Sequence, residues 1–246
     1  MAVAERIPLG VAGLDKMLHG GVLAGSMVLL MGAPGTGKTT VGLQFLVDGV
    51  TRHNEAGLLV TFEQFPQTLY RDAQAHGWNL RQLEQEGRLK VVFTSPQVFL
   101  SSLQSPTSPL SEVILEMGVK RAVIDSVSHF QALTRSPAEL RTKYNYLING
   151  LRREGITSLL LSEDSGPDFV RGDRGRLAYL VDSVILLRYV EIDSVIQRAV
   201  AVLKTRGSDH DQAIRRFEIK TGGMVVHETF EGRRGLLSGM PHRTGL

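Results

Sequence analysis

The chain has no cysteine, which excludes a disulfide frame and a thiolate metal site and fits a reducing cytoplasm. Its N-terminus lacks a cationic segment leading into an apolar run, so no signal peptide is expected. No apolar stretch approaches the roughly 18 residues a membrane helix needs, and no membrane partner is expected. Charge of one sign is also scarce. The net charge is +3, with a pI of 9.3. So mild an excess accounts for solubility and does not by itself imply nucleic acid. What is present is ordinary globular composition, 42% hydrophobic and 22% charged over 246 residues. That length allows one large domain with a full core.

The first half alternates short apolar runs with helical periodicity. Residues 28–31 form an apolar run ending in a glycine-rich turn, and Leu43, Phe45, Leu46 and Val50 then recur at helical spacing. Residues 58–62, 89–93, 122–125 and 157–161 read as further strands. Residues 69–76 read as a helix closed by Gly77, and residues 138–154 as a long amphipathic helix with Leu140, Tyr144, Leu147, Ile148 and Leu151 on one face. Residues 95–111, rich in Ser and Pro, read mostly as loop, and so does the polar stretch 163–176 with its three glycines. Strand and helix in alternation predict an α/β fold with a mainly parallel sheet covered on both faces. The rhythm then changes. Residues 183–189, 198–204, 214–219 and 224–226 read as consecutive strands, an antiparallel extension of the sheet. One domain is expected over 1–231, with a basic tail over 232–246, carrying Arg233, Arg234 and Arg243, that is frayed or bound to a partner.

The decisive motif is Gly32-Ala33-Pro34-Gly35-Thr36-Gly37-Lys38-Thr39, followed by Thr40. It matches the P-loop pattern G-x-x-x-x-G-K-[ST], with an apolar strand before it and a helix after it. Glycines let backbone N–H groups turn inward around phosphate oxygens, and the positive end of the next helix faces the same anion. Lys38 can reach the β- and γ-phosphates, and the Thr39 hydroxyl is placed to ligate Mg²⁺. Asp125, at the carboxyl end of its strand, supplies the acid that holds Mg²⁺ directly or through water. ATP and Mg²⁺ are therefore the expected ligands. Glu63, ending the second strand, is the candidate to prepare the attacking water. Its alternative is a solvated loop carboxylate.

From about Ile7 to about Gly245 the chain resembles the KaiC-like branch of the RecA/RadA superfamily, a P-loop ATPase family. The resemblance is carried by Gly13-Leu14-Asp15, Gly20-Gly21 and Gly25 ahead of the P-loop, then by residues 60–63, Gly77-Trp78 and residues 123–126. Its most distinctive stretch is 184–217, with residues 186–192, 203–208 and 210–215, which looks most like the second of two tandem domains in the family's clock proteins. The resemblance implies a RecA-like fold and a ring of identical chains, usually a hexamer, with ATP held between neighbours. Glu63 then matches the first of two adjacent catalytic glutamates. Lys204 and Arg206 match a basic pair that reaches the γ-phosphate bound by the next subunit. Such cations would neutralise charge that develops in phosphoryl transfer. Their alternative is a solvated edge-strand pair that blocks aggregation. His210 could join the same interface.

The departures are Gln64, where the family has its second glutamate, and Ala178-Tyr179, where clock proteins carry an autophosphorylated Ser-Thr pair. They imply slow hydrolysis in a regulatory or signalling ATPase, with a signalling protein as a candidate partner and no clock-type phosphorylation cycle. Two rivals remain: an ATP-driven assembly switch whose hydrolysis only resets a ring, towards which Gln64 leans, and a DNA-handling recombinase that uses the 163–176 loop. There Arg171, Arg174 and Arg176 are balanced by Glu163, Asp164, Asp168 and Asp173, and Phe169 is the one aromatic, a poor match to a basic groove with stacking platforms. DNA is not the favoured partner.

Overall fold

The computed structural model describes residues 5–163, 173–237 and 242–243. The chain opens with β1 (Arg6–Ile7), α1 (Ala12–Met17) and β2 (Val22–Leu23), the two strands pairing antiparallel. There follow β3 (Met27–Gly32), α2 (Lys38–Arg52), β4 (Gly57–Thr61), α3 (Pro66–Ala75), α4 (Leu80–Gln85), β5 (Leu89–Phe93), α5 (Pro96–Gln104) and α6 (Pro109–Met117). Next come β6 (Arg121–Asp125), a 3₁₀ segment (Val127–Leu133), α7 (Pro137–Arg153), β7 (Thr157–Glu163) and α8 (Asp173–Leu180). The last elements are β8 (Ser183–Ile192), β9 (Val195–Thr205), β10 (Arg215–Lys220), β11 (Gly223–Thr229), β12 (Arg233–Arg234) and β13 (His242–Arg243).

Nine strands form one sheet in the order β11-β10-β9-β8-β3-β7-β6-β4-β5. The run from β8 to β5 is parallel, and β9, β10 and β11 continue it antiparallel. The expected α/β fold with an antiparallel C-terminal extension is therefore the fold of the chain. The first of the late strands, β8, still belongs to the parallel set.

Strand alternation builds two cores. In β3, Val28 and Leu30 face one layer while Met27, Leu29 and Met31 face the other. Leu59, Val123, Leu159 and Ile185 join the first layer; Leu58, Val60, Ile124, Leu160 and Leu186 join the second. Side chains alternate with period two, so a parallel strand buried on both faces reads as a continuous apolar run. Helix α2 packs on the first face with Leu69 of α3 and Leu80 of α4, and α5, α6 and α7 pack on the second.

Three expectations need correction. Residues 95–111 are mostly helix rather than loop. Ser95 caps α5 by accepting from the Val98 N–H, and Ser108 caps α6 by accepting from the Ser111 N–H; a proline follows each cap. Ser-Pro ahead of spaced apolar residues is a helix start, and Phe99, Leu103, Leu110 and Ile114 are then buried. The stretch read as loop over 163–176 is strand at Glu163 and helix from Asp173, while residues 164–172 lie outside the described residues. In the tail, Leu236 is buried against Val190, Ile192 and Ala199, Arg233 pairs with Asp193, and Arg188 donates to the Leu237 carbonyl. Residues 233–237 therefore dock onto the β8–β9 hairpin instead of fraying.

Candidate nucleotide site

The carboxyl ends of β3, β4 and β6 meet in one crevice, the place where open α/β sheets hold ligands. The loop after β3 curls tightly for steric reasons. A Cβ on Gly32 would lie 2.6 Å from Thr36 Oγ1 and 2.8 Å from the Leu187 carbonyl oxygen. Gly37 has a φ of 104°, and a Cβ there would meet Ile219 Cδ1 at 2.3 Å. The Thr36 hydroxyl donates to the Ala33 carbonyl at 2.8 Å and closes the curl. Lys38 is the first residue of α2, and its buried ammonium donates to the carbonyls of Gly32 (2.9 Å) and Ala33 (3.1 Å). The positive charge is thus held inside the loop. Gly35 lies beneath the Tyr189 hydroxyl, and the Arg198 guanidinium sits over the Tyr189 ring at 5.5 Å.

Thr39 and Asp125 come from different elements and meet. The Thr39 hydroxyl donates to Asp125 Oδ2 at 2.8 Å. Burial pushes the Asp125 carboxyl above its usual range. The Thr39 hydrogen bond and the Lys38 charge pull the other way, and the Glu63 charge adds to the rise. A hydroxyl beside a poorly hydrated carboxylate is a hard oxygen pair that suits Mg²⁺, a cation usually held by one or two carboxylates plus substrate phosphates. No group of three or more His, Asp or Glu that could hold a metal ion gathers among the described residues.

Glu63 stands at the exit of β4. The buried Thr61 hydroxyl donates to the Gln64 carbonyl (3.1 Å) and accepts from the Gln64 N–H (3.2 Å), fixing the turn that carries Glu63. The Glu63 side chain is 70% exposed, and its Oε2 lies 3.3 Å from His129 Nε2. The sequence reading missed His129. Its one signal was a histidine four residues beyond Asp125, and nothing in the sequence said that β4 and β6 are neighbours.

Lys204 and Arg206 do not join this cluster within the chain. β8 runs parallel to β3 with Leu187 opposite Gly32 and Val184 opposite Leu29. β9 returns antiparallel, so Lys204 lies opposite Val184. That is level with Leu29, roughly 10 Å of strand back from the loop. Lys204 Nζ donates to the carbonyls of Ala178 (2.8 Å) and Val181 (2.7 Å), and Arg206 donates to that of Tyr179. Burial, and then the Arg206 charge, push the Lys204 ammonium below the usual lysine range. His210 lies in the next loop, which the Asp211 N–H ties to the Met17 carbonyl at 2.8 Å.

A family model described as the KaiC ATPase matches residues 7–231. The chain belongs to the KaiC-like ATPase family. It is 32% identical over 249 residues to the circadian clock protein KaiC3 of Synechocystis, an alignment that covers 97% of this chain and 47% of that protein. It is also 32% identical over 238 residues to a UPF0273 protein of Methanocaldococcus jannaschii, covering 91% of this chain and 96% of that one. Among solved structures, the KaiC-like protein PH0186 of Pyrococcus horikoshii superposes with a TM-score of 0.82 at 29% identity, covering 92% of this chain and all of the other. This KaiC-like chain thus spans about half the length of the clock proteins it matches and nearly all of the UPF0273 protein.

A cavity of about 540 Å³ opens away from the P-loop, between α2 and the α3–α4 turn, beside Trp78 and Asp48. Several of its polar groups already have partners, while the buried Asp48 Oδ2 accepts no hydrogen bond and faces His53 at 3.3 Å and Arg121 at 3.7 Å. Gln44 binds the Gly10 carbonyl and the Met224 N–H, and Arg88 donates to the Val50 carbonyl. The chemistry gathers at the P-loop crevice. No helix among the described residues is long and apolar enough to cross a membrane.

Proposed function

We propose that this chain is a slow ATPase that binds ATP with Mg²⁺ and works as a ring of identical copies, a hexamer by family analogy, in a regulatory or signalling role. The observation that carries the reading is the meeting of Thr39 with Asp125 beside the loop that encloses Lys38. The backbone N–H groups of residues 35–38 turn towards the phosphates, with Pro34 shaping the loop but donating nothing, and Lys38 supplies a fixed positive charge. Thr39 and Asp125 would hold Mg²⁺, which would neutralise phosphate charge when bound. Glu63 orients the attacking water. Gln64, in place of a second carboxylate, can position water but cannot take its proton, so turnover below about one per second is expected, under the enzyme median of ~10 s⁻¹.

The distance between the P-loop and the Lys204–Arg206 pair supports a site shared between copies. A pair that cannot serve its own loop is suited to a neighbour's γ-phosphate. Self-phosphorylation of the clock type is not part of the proposal. Ala178 has no hydroxyl, and Ser183 is buried in β8 at 1% exposure.

Calorimetry and turnover test the reading together. Lys38→Ala should weaken ATP binding by about 100-fold or more, since it removes a charge-assisted contact. Glu63→Gln should bind ATP as before and lose turnover by about 100-fold. An unchanged rate in the second variant would remove Glu63 from the mechanism.

A further inference from the structure

We infer that His129 is a positioning residue for Glu63, holding its carboxylate so that Oε1 is presented to the water that attacks ATP. The inference rests on the water-orienting role proposed for Glu63. An exposed glutamate at a strand exit has three rotatable bonds, and fixing it costs side-chain entropy. The Thr61–Gln64 turn fixes its backbone but not its carboxylate. His129 Nε2, at 3.3 Å from Oε2, supplies the missing restraint. An ionised carboxylate only accepts hydrogen bonds, so the contact requires the proton on Nε2.

The imidazole itself stands on a rigid base. The His129 N–H donates to the Ser126 carbonyl at 3.2 Å. Its neighbours Val127 and Phe130 are fully buried. Phe130 stacks on Tyr144 at 5.9 Å, and the Tyr144 hydroxyl donates to the Val127 carbonyl at 3.4 Å. Phe62, the residue before Glu63, meets the His129 ring edge-on at 6.3 Å and the Phe130 ring at 5.7 Å. The clamp therefore comes from the segment that follows Asp125, and it ties the water-orienting group to the magnesium acid. A small misplacement at such a point is costly in rate and cheap in binding.

The test is steady-state ATP hydrolysis with ATP binding measured alongside, on the full chain. Five proteins are compared: wild type, His129→Ala, His129→Gln, Glu63→Gln, and the double variant His129→Ala/Glu63→Gln. His129→Ala should lower kcat about tenfold while KM and Kd for ATP stay within about twofold. His129→Gln keeps an N–H donor and should recover most of the rate. In the Glu63→Gln background, His129→Ala should add less than about a twofold loss, because the two residues act as a unit. Wild-type kcat in both His129 variants, with Glu63→Gln inactive, would overturn this inference alone. So would a loss of equal size in both backgrounds. Full turnover by Glu63→Gln would remove the reading beneath it, and this inference with it.

Discussion

The parallel half of the sheet and its antiparallel extension differ in what they do with their charges. In the parallel half the charged groups converge. Lys38, Thr39 and Asp125 are drawn into one crevice by neighbouring elements, and Glu63 and His129 stand beside them. In the extension they diverge. Lys204 and Arg206 lie towards the opposite end of the sheet and cap the carboxyl end of α8 through its carbonyls. Strand direction causes the contrast. A parallel strand brings its exit to the same end as its neighbours, whereas β9 returns and carries its last residues away. One half gathers the P-loop lysine, hydroxyl and acid, and the other holds its two cations on the carbonyls at the end of α8.

The halves also differ in how ion pairs are buried, and mutation should separate them. Arg121, at the start of β6, is 1% exposed. It donates to Glu55 at 2.5 Å, to the carbonyls of Pro8 and Phe45, and stacks over the Phe45 ring. Arg121→Ala strands the buried Asp48 carboxylate, 3.7 Å away, along with the partly exposed Glu55, opens a void, and should cost about 3–5 kcal/mol in urea unfolding. A loss under about 1 kcal/mol would show that the parallel half does not depend on it.

Asp15 of α1 lies at the seam, since α1 also packs against β11. Burial pushes its carboxyl up to about 6 from 3.8. The N–H groups of Leu9, Gly10 and Val11 oppose the rise, and the Asp48 charge adds to it. The folded state therefore binds this proton more tightly than the unfolded chain. Its contribution is full below about pH 4 and is lost as pH rises through 6. Asp15→Asn keeps the acceptor for the Leu9 N–H and cannot ionise. Relative to this variant, the wild type should lose about 1–3 kcal/mol between pH 4 and pH 7. Parallel urea curves at both pH values would break the assignment.

The smallest effect belongs to the extension. The Arg233–Asp193 pair leaves Asp193 62% exposed, so Arg233→Ala should cost under about 1 kcal/mol in the same unfolding assay. A larger loss would mean that the docked tail is part of the core.

Much of this was legible in the sequence, and the illegible part has physical causes. The apolar runs of β3, β4, β6 and β7 identified strands buried on both faces, and the glycines of residues 32–37 identified a turn whose backbone can close around an anion. Ser95-Pro96 and Ser108-Pro109 misled because the same residue types start helices and fill loops. Arg121 fell outside the strand read over 122–125, and its partners Pro8, Phe45 and Glu55 are distant in sequence, so no local pattern marked it. β8 and β9 run further than the strands read over 183–189 and 198–204, because Asp193 and Ser194 adopt positive φ (52° and 64°) and make a tight turn without glycine. The His129–Glu63 contact depends on strand order, which local pattern does not encode. The position of Lys204 and Arg206, away from their own P-loop, follows from the register of β9, which local pattern does not encode either.

On the proposed function, a working site needs the P-loop of one copy and the Lys204–Arg206 pair of another. The direct measurement is ATP hydrolysis by Lys38→Ala and Arg206→Ala proteins, each alone and then mixed before assembly, with co-purification through a tag on one variant confirming mixed oligomers. Each alone should be nearly inactive. An equal mixture should regain activity, up to about a quarter of wild type, because random neighbours then pair an intact loop with an intact cation in that share of sites. Mixed oligomers with no more activity than the two variants summed would contradict the account.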